Sequence, residues 1–153
     1  MNKSVKNVLV LLIVISVVYF GNRAVQSYLG QQALEALPFP VYSLEEGKQK
    51  AKQSDKLILA DYSAIWCPNC RKLDQRVFSH PDIADTVKKN FSYVRVDFDS
   101  DEGQAFAEKF KLMGFPRVLV LSANGDKIVE MPLVFDPKTY NDNLQKVIAI
   151  RGN

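Results

Sequence analysis

The chain has 153 residues, 47% of them hydrophobic, and a formal charge of +3 from 20 basic and 17 acidic side chains. Lys3 and Lys6 precede the first apolar segment, so everything after it stands at +1 and carries no electrostatic footprint for nucleic acid. The length suits one compact domain plus an extension, with enough apolar residues to bury a core without disulfide support.

Residues 1–7 hold two lysines and no acid, and residues 8–20 form an apolar run interrupted only by Ser16. This pattern is a targeting segment outside the fold. Its 13 residues fit the core of a cleaved signal and are short for a bilayer span of roughly 20 residues. Against cleavage, there is no clean A-x-A site, since Val25-Gln26-Ser27 is the nearest small-residue pattern and Arg23 intervenes. The reading is a signal anchor over 1–23, its N-terminus held in the cytoplasm by Lys3 and Lys6, with cleavage and secretion as the alternative.

Residues 24–37 place Val25, Tyr28, Leu29, Ala33, Leu34 and Leu37 near helical spacing before Pro38-Phe39-Pro40. They predict a short helix or stalk and then a linker through residue 42. A domain over 43–153 opens on Ser43-Leu44-Glu45-Glu46, which has the form of a capping box for a helix to about Gln53. Residues 56–63 read as the first strand. The next helix starts at Pro68 and extends to about Val77, with Leu73 and Val77 inward, and Ser79-His80-Pro81 opens another that ends near Asn90. Residues 91–97 alternate as a strand, and residues 102–111 form a crossover helix. After it come a strand over 117–121, an Asn124-Gly125 hairpin signal, a returning strand over 127–131, and a final helix capped by Asp136-Pro137. Strand, helix, strand, helix implies parallel pairing and right-handed crossovers, so the class is α/β.

The chemistry lies in Trp66-Cys67-Pro68-Asn69-Cys70, which holds the chain's two cysteines directly after an apolar strand. A proline is suited to the first helical turn, so Cys67 falls at a strand-to-helix junction. Free N–H groups and the dipole there stabilise an anion, which favours Cys67 as an exposed nucleophile and leaves Cys70, one turn in, as the resolving thiol. A structural staple closing so short a loop gains little, and a zinc site lacks ligands, with only His80 left as a soft partner. Two inert thiols disagree with the exposed position of a helix start. His80 itself reads as a surface or capping residue, and Asp97, Asp99, Asp101 and Glu102 as a solvated helix start without the spacing of a calcium loop.

The order of elements, the Trp66 to Cys70 motif, and Gly114-Phe115-Pro116 before the hairpin together resemble the thioredoxin superfamily. Cys70-Arg71-Lys72-Leu73-Asp74, Val77-Phe78-Ser79 and Pro81-Asp82 are similar to thioredoxin-like domains of extracytoplasmic reductases, including the C-terminal domain of the bacterial transmembrane disulfide reductase. The resemblance implies a thioredoxin fold with a central mixed sheet flanked by helices. It implies catalytic roles for Cys67, Cys70 and Asp61, the last matching a buried acid six residues before the attacking cysteine. Desolvation of such an acid favours the neutral form that can exchange a proton with Cys70. Trp66, Phe115 and Pro116 match substrate-binding positions, with the bond before Pro116 cis. No metal site and no cofactor beyond the redox-active disulfide is implied. The partners expected are disulfide-containing proteins, a membrane or soluble thiol electron donor, and the membrane through the N-terminal segment. The chain departs from thioredoxin in having Pro68-Asn69 inside the motif, and in Tyr93 where thioredoxin has a lysine, which would leave Asp61 without a cationic partner. Arg71 and Lys72 add positive charge near Cys67. The resulting expectation is a periplasmic-side, membrane-anchored thiol:disulfide oxidoreductase acting as a reductase, with an oxidant, an isomerase or a soft-metal-binding module as alternatives.

Overall fold

Nothing between Lys3 and Glu35 breaks a helix. Two isolated glycines, Gly21 and Gly30, are tolerated, and Pro38 lies beyond. In the computed structural model, which describes residues 3–151, the apolar run and the expected stalk accordingly form one continuous helix, α1 (Lys3–Glu35), about 50 Å long. Met1 and Asn2 of the expected anchor and Gly152 and Asn153 of the expected domain lie outside the described residues. By length and composition α1 is the one helix among the described residues able to cross a membrane. Its apolar side chains between positions 8 and 20 are half or more exposed, whereas Gly30 and Ala33 are buried. The segment expected as stalk and linker therefore does not stand apart from the domain. Leu34, Leu37 and Phe39 pack into its core, and Tyr42 bridges to Val94 beside the sheet.

The remaining elements follow the local signals. Ser43 and Glu46 complete the capping box of α2 (Leu44–Ser54). The sheet comprises β1 (Leu57–Ser63), β2 (Phe91–Asp97), β3 (Arg117–Leu121) and β4 (Lys127–Met131) in the order β2-β1-β3-β4. The β1–β2 pair is parallel and the other two pairs are antiparallel. This is the mixed sheet of a thioredoxin fold. Between β1 and β2 lie α3 (Pro68–Leu73) and α4 (Pro81–Asn90), and α5 (Asp101–Phe110) and α6 (Pro137–Arg151) complete the cover. The hairpin forms as predicted, but as a wider loop than a two-residue turn. Ser122 N–H donates to the Asp126 carbonyl, only Gly125 of the Asn-Gly pair has positive φ, and the register slips between Val120 and Leu121.

Alternation along the strands divides the core in two. Ile58, Ala60 and Tyr62 join Val94, Val96, Leu119 and Phe106 on one face. Leu57 and Leu59 face the other way, with Phe91, Tyr93, Val118 and Val120, onto Leu73, Val77, Ile83 and Tyr140. The same parity sends Asp61, Ser63 and Arg95 toward the second face, the one that carries the cysteine helix.

One expected helix changes form. The α-helix from Pro68 ends at Leu73, and Asp74–Phe78 is a π turn, closed by Ser79 N–H and Oγ both donating to the Asp74 carbonyl. Leu73 and Val77 are buried as predicted, and the wider turn also buries Asp74 and Phe78. The residue that the wider turn brings inward is a carboxylate.

Candidate active site

Cys67 is the N-cap of α3, with Pro68 in the first turn, and its Sγ accepts the Cys70 N–H at 3.1 Å. Cys67 and Cys70 are joined by a disulfide with their Cα atoms 5.2 Å apart. The structure is therefore that of the oxidised form. Both cysteines are buried, Cys67 at 6% and Cys70 at 1% exposure, so Cys67 is less open than a helix start predicts. The cause is an aromatic collar of Trp66, Phe98 and Phe115 packed on the pair. Trp66 meets Phe115 edge-on at 5.4 Å, and Phe98 lies 4.6 Å from Phe115 between ring centroids. Phe98 was not among the residues singled out from the sequence. The Phe115–Pro116 bond is cis. Beside it, Met113, Gly114, Phe115, Pro116, Leu73 and Leu133 line a groove of about 440 Å³. Met113 and Leu133 at its rim are 86% and 50% exposed, and the paired Arg117 and Glu130 line it as well.

Asp61 is fully buried and is not without partners. Tyr93 OH donates to its Oδ2 at 2.8 Å, Ser63 Oγ donates to its Oδ1, and Arg95 Nη1 lies 3.4 Å from Oδ2. Arg95 thus supplies the cation that the tyrosine at position 93 was expected to cost. The parallel register sets Asp61 opposite Arg95, and the two-residue period puts Arg95 on the same face as Tyr93, so the alternation itself could have found it. Arg95 also donates through Nη2 to Asp74 Oδ1 at 2.5 Å. One guanidinium therefore serves two buried carboxylates. Burial pushes the Asp74 carboxyl up to about 6, against the pull of Arg95 and with a further upward push from Asp61. Burial opposes the charge on Arg95, but Asp61, Tyr93 and Asp74 outweigh it and hold the guanidinium protonated. Burial likewise holds the Tyr93 hydroxyl well above its ordinary range. The cluster can store or pass one proton on the face that carries α3.

A second set of contacts joins the redox loop to α1. Arg23 pairs with Asp99 at 2.9 Å and lies 4.5 Å over the Trp66 ring, while Trp66 Nε1 donates to Asp99 at 2.7 Å. Arg71 donates to Gln26 at 2.7 Å, and Gly30 packs so closely on the Ile65 carbonyl that a Cβ would collide with it. Arg71 and Lys72, expected to add charge near Cys67, are held by Gln26 and by the Phe135 ring. His80 occupies the N-cap position of α4 without a side-chain cap bond and lies 3.9 Å from Asp82. Among the acids read as a solvated helix start, Asp101 and Glu102 lie in the first turn of α5, where Ser100 is the cap, but Asp99 is tied to Arg23 and Trp66. No group able to hold a metal ion occurs among the described residues.

With this geometry in view, residues 40–123 match a family described as thioredoxin-like. Thioredoxin H3 of Arabidopsis thaliana is 34% identical over 92 residues, covering 58% of this chain and 73% of that protein. The thiol:disulfide interchange protein DsbD of Pseudomonas fluorescens is 25% identical over 112 residues, covering 72% of this chain but 19% of its own length. In solved structures, a thioredoxin from Thermus thermophilus superposes with a TM-score of 0.65 at 18% identity, over 72% of this chain and 87% of its own, a likeness of fold.

Proposed function

The chain belongs to the thioredoxin-like family of thiol:disulfide oxidoreductases, and we propose that it is a membrane-anchored reductase of protein disulfides outside the cytoplasm. The observation that carries the reading is the Cys67–Cys70 pair at the start of α3, with a buried, hydrogen-bonded acid on the strand that leads into it.

In the reduced protein, the Cys67 thiolate at the helix N-terminus attacks one sulfur of a substrate disulfide, and the other sulfur departs as a thiolate. The Cys70 thiol then loses its proton to the Asp61 cluster and attacks Cys67 Sγ. That step forms the Cys67–Cys70 disulfide and releases the second substrate sulfur. Two electrons pass to the substrate, and a dithiol donor restores the reduced pair. The groove at Phe115 and Pro116 holds the substrate chain alongside, and Trp66 supports Phe115 edge-on from the side of the cysteines. No cofactor is required, because the cysteine pair carries the electrons. Residues 1–23 serve as anchor and 43–153 as catalytic domain, with residues 24–42 packed onto that domain as the connection and Lys3 and Lys6 keeping the N-terminus inside.

Equilibration against glutathione together with an insulin-reduction assay tests the direction. A potential near the roughly −270 mV of thioredoxin is expected, and one above about −150 mV makes the protein an oxidant instead. Trapping with Cys70→Ala, which has no resolving thiol, identifies the substrates.

A further inference from the structure

We propose that α1 is a rigid mount holding the Cys67–Cys70 pair against the membrane surface, within about 15 Å of the hydrocarbon edge, and that the substrate is an integral membrane protein presenting its disulfide at the bilayer surface. The inference rests on reading residues 8–20 as a retained anchor, and it names the substrate class for that site.

The apolar run ends at Phe20, and Arg23 is the first residue of α1 that the domain covers. Three residues of helix advance about 4.5 Å. A span of roughly 20 residues counted from Lys3 ends at Asn22, so Arg23 lies at the inner edge of a headgroup zone that is roughly 5–8 Å deep on each side of a bilayer. Arg23 holds Trp66 and Asp99, Gln26 one turn on holds Arg71, and Gly30 meets the Ile65 carbonyl. Positions 65, 66 and 71 are therefore clamped along residues 23–30 of the helix, about 5–15 Å from Phe20 along its axis. The cysteines sit inside that clamp. No loop separates anchor from clamp, because the helix is unbroken from Lys3 to Glu35. Tyr19 and Trp66, the latter beside Arg23, are also the residue types that settle at a membrane interface.

A site mounted this way has the bilayer along one flank. A disulfide far out on a soluble domain gains nothing from the mount, whereas one held at the bilayer surface is presented at high effective concentration by diffusion in the plane. The exchange is the one described above: the partner's S–S bond is reduced to two thiols as Cys67 and Cys70 form theirs.

Trp66 is the chain's only tryptophan and serves as the depth reporter. The full chain is pre-reduced and reconstituted in lipid nanodiscs, with alkaline extraction to establish integration. Nitroxide placed on the lipid headgroup should quench Trp66 in the native chain, and insertion of a Gly-Ser segment of about 20 residues between Gly21 and Asn22 should abolish the quenching, since such a coil reaches about 25 Å. A synthetic single-span peptide with a disulfide-linked fluorophore just outside its apolar segment should be reduced roughly tenfold faster than the same peptide with the disulfide far out. The insertion should bring the two rates together while leaving insulin reduction unchanged. Integrated protein with an unquenched Trp66, or with equal near and far rates, overturns the mount while leaving the anchor. Protein lost to alkaline extraction overturns the anchor, and the mount with it.

Discussion

Two arginines bind carboxylates around the redox loop under different conditions. Arg95 bridges Asp61 and Asp74 with 10% of its side chain exposed, whereas Arg23 reaches Asp99 from α1 with 37% exposed. The chemistry of the pairs is alike, but water is not equally near. Around Arg95 there is little solvent to screen the charges or to replace a missing partner, so the cluster is costly to disturb. Around Arg23 water and salt compete for every contact, so the pair orients Asp99 and Trp66 more than it stabilises the fold. The contrast separates a buried charge cluster in the core from a solvent-facing pair that sets the position of a loop.

The sharpest way to break the comparison is Arg95→Met, which strands two buried carboxylates. Urea unfolding should show a loss of about 3–5 kcal/mol, and a loss as small as that expected at Arg23 would mean that the cluster is solvated after all. Next is the pH profile. The folded-state value of Asp74 is raised to about 6 from 3.8, so the native protein keeps a proton that the unfolded chain gives up in between. Its contribution is therefore full below the unfolded value and lost as pH rises through about 6, a fall of roughly 3 kcal/mol across that window. Asp74→Asn should flatten that part of the stability curve, and a curve of unchanged slope would remove Asp74 as its source.

Asp61→Asn probes the same cluster through rate. Release of a substrate from its mixed disulfide with Cys67 should slow about 100-fold, as for loss of a general base, while formation of that mixed disulfide is little changed. An unchanged release rate would assign the proton of Cys70 elsewhere. The smallest effect belongs to Arg23→Ala. Unfolding should shift by less than about 1 kcal/mol, and the difference from wild type should shrink further in high salt. Trp66 emission should nevertheless move, because the ring loses the cation above it and the anchor of its partner Asp99.

Much of the fold and half of the site were legible because their signals are local. A capping box spans four residues, a proline after Cys67 marks a helix start, and an apolar run at residues 57–60 and alternation along residues 91–97 mark strands. The thioredoxin-like motifs then pointed to Cys67, Cys70, Asp61, Trp66, Phe115 and Pro116 as candidates. What escaped were partners distant in sequence, such as Arg95 for Asp74, Phe98 for the cysteine collar, and Arg23 for Asp99, 76 positions away.

By itself, the sequence determined the elements, their order and the chemistry of the cysteine pair, because backbone preferences and side-chain periodicity act over a few residues. Tertiary structure alone decided that the apolar N-terminal helix continues into the domain and clamps the redox loop. It alone decided that the cysteine helix widens into a π turn at Asp74, and that one buried guanidinium is shared between two acids. Those outcomes depend on strand register and on the packing of α1 and α3, where a displacement of one residue or a few ångströms makes or breaks an ion pair.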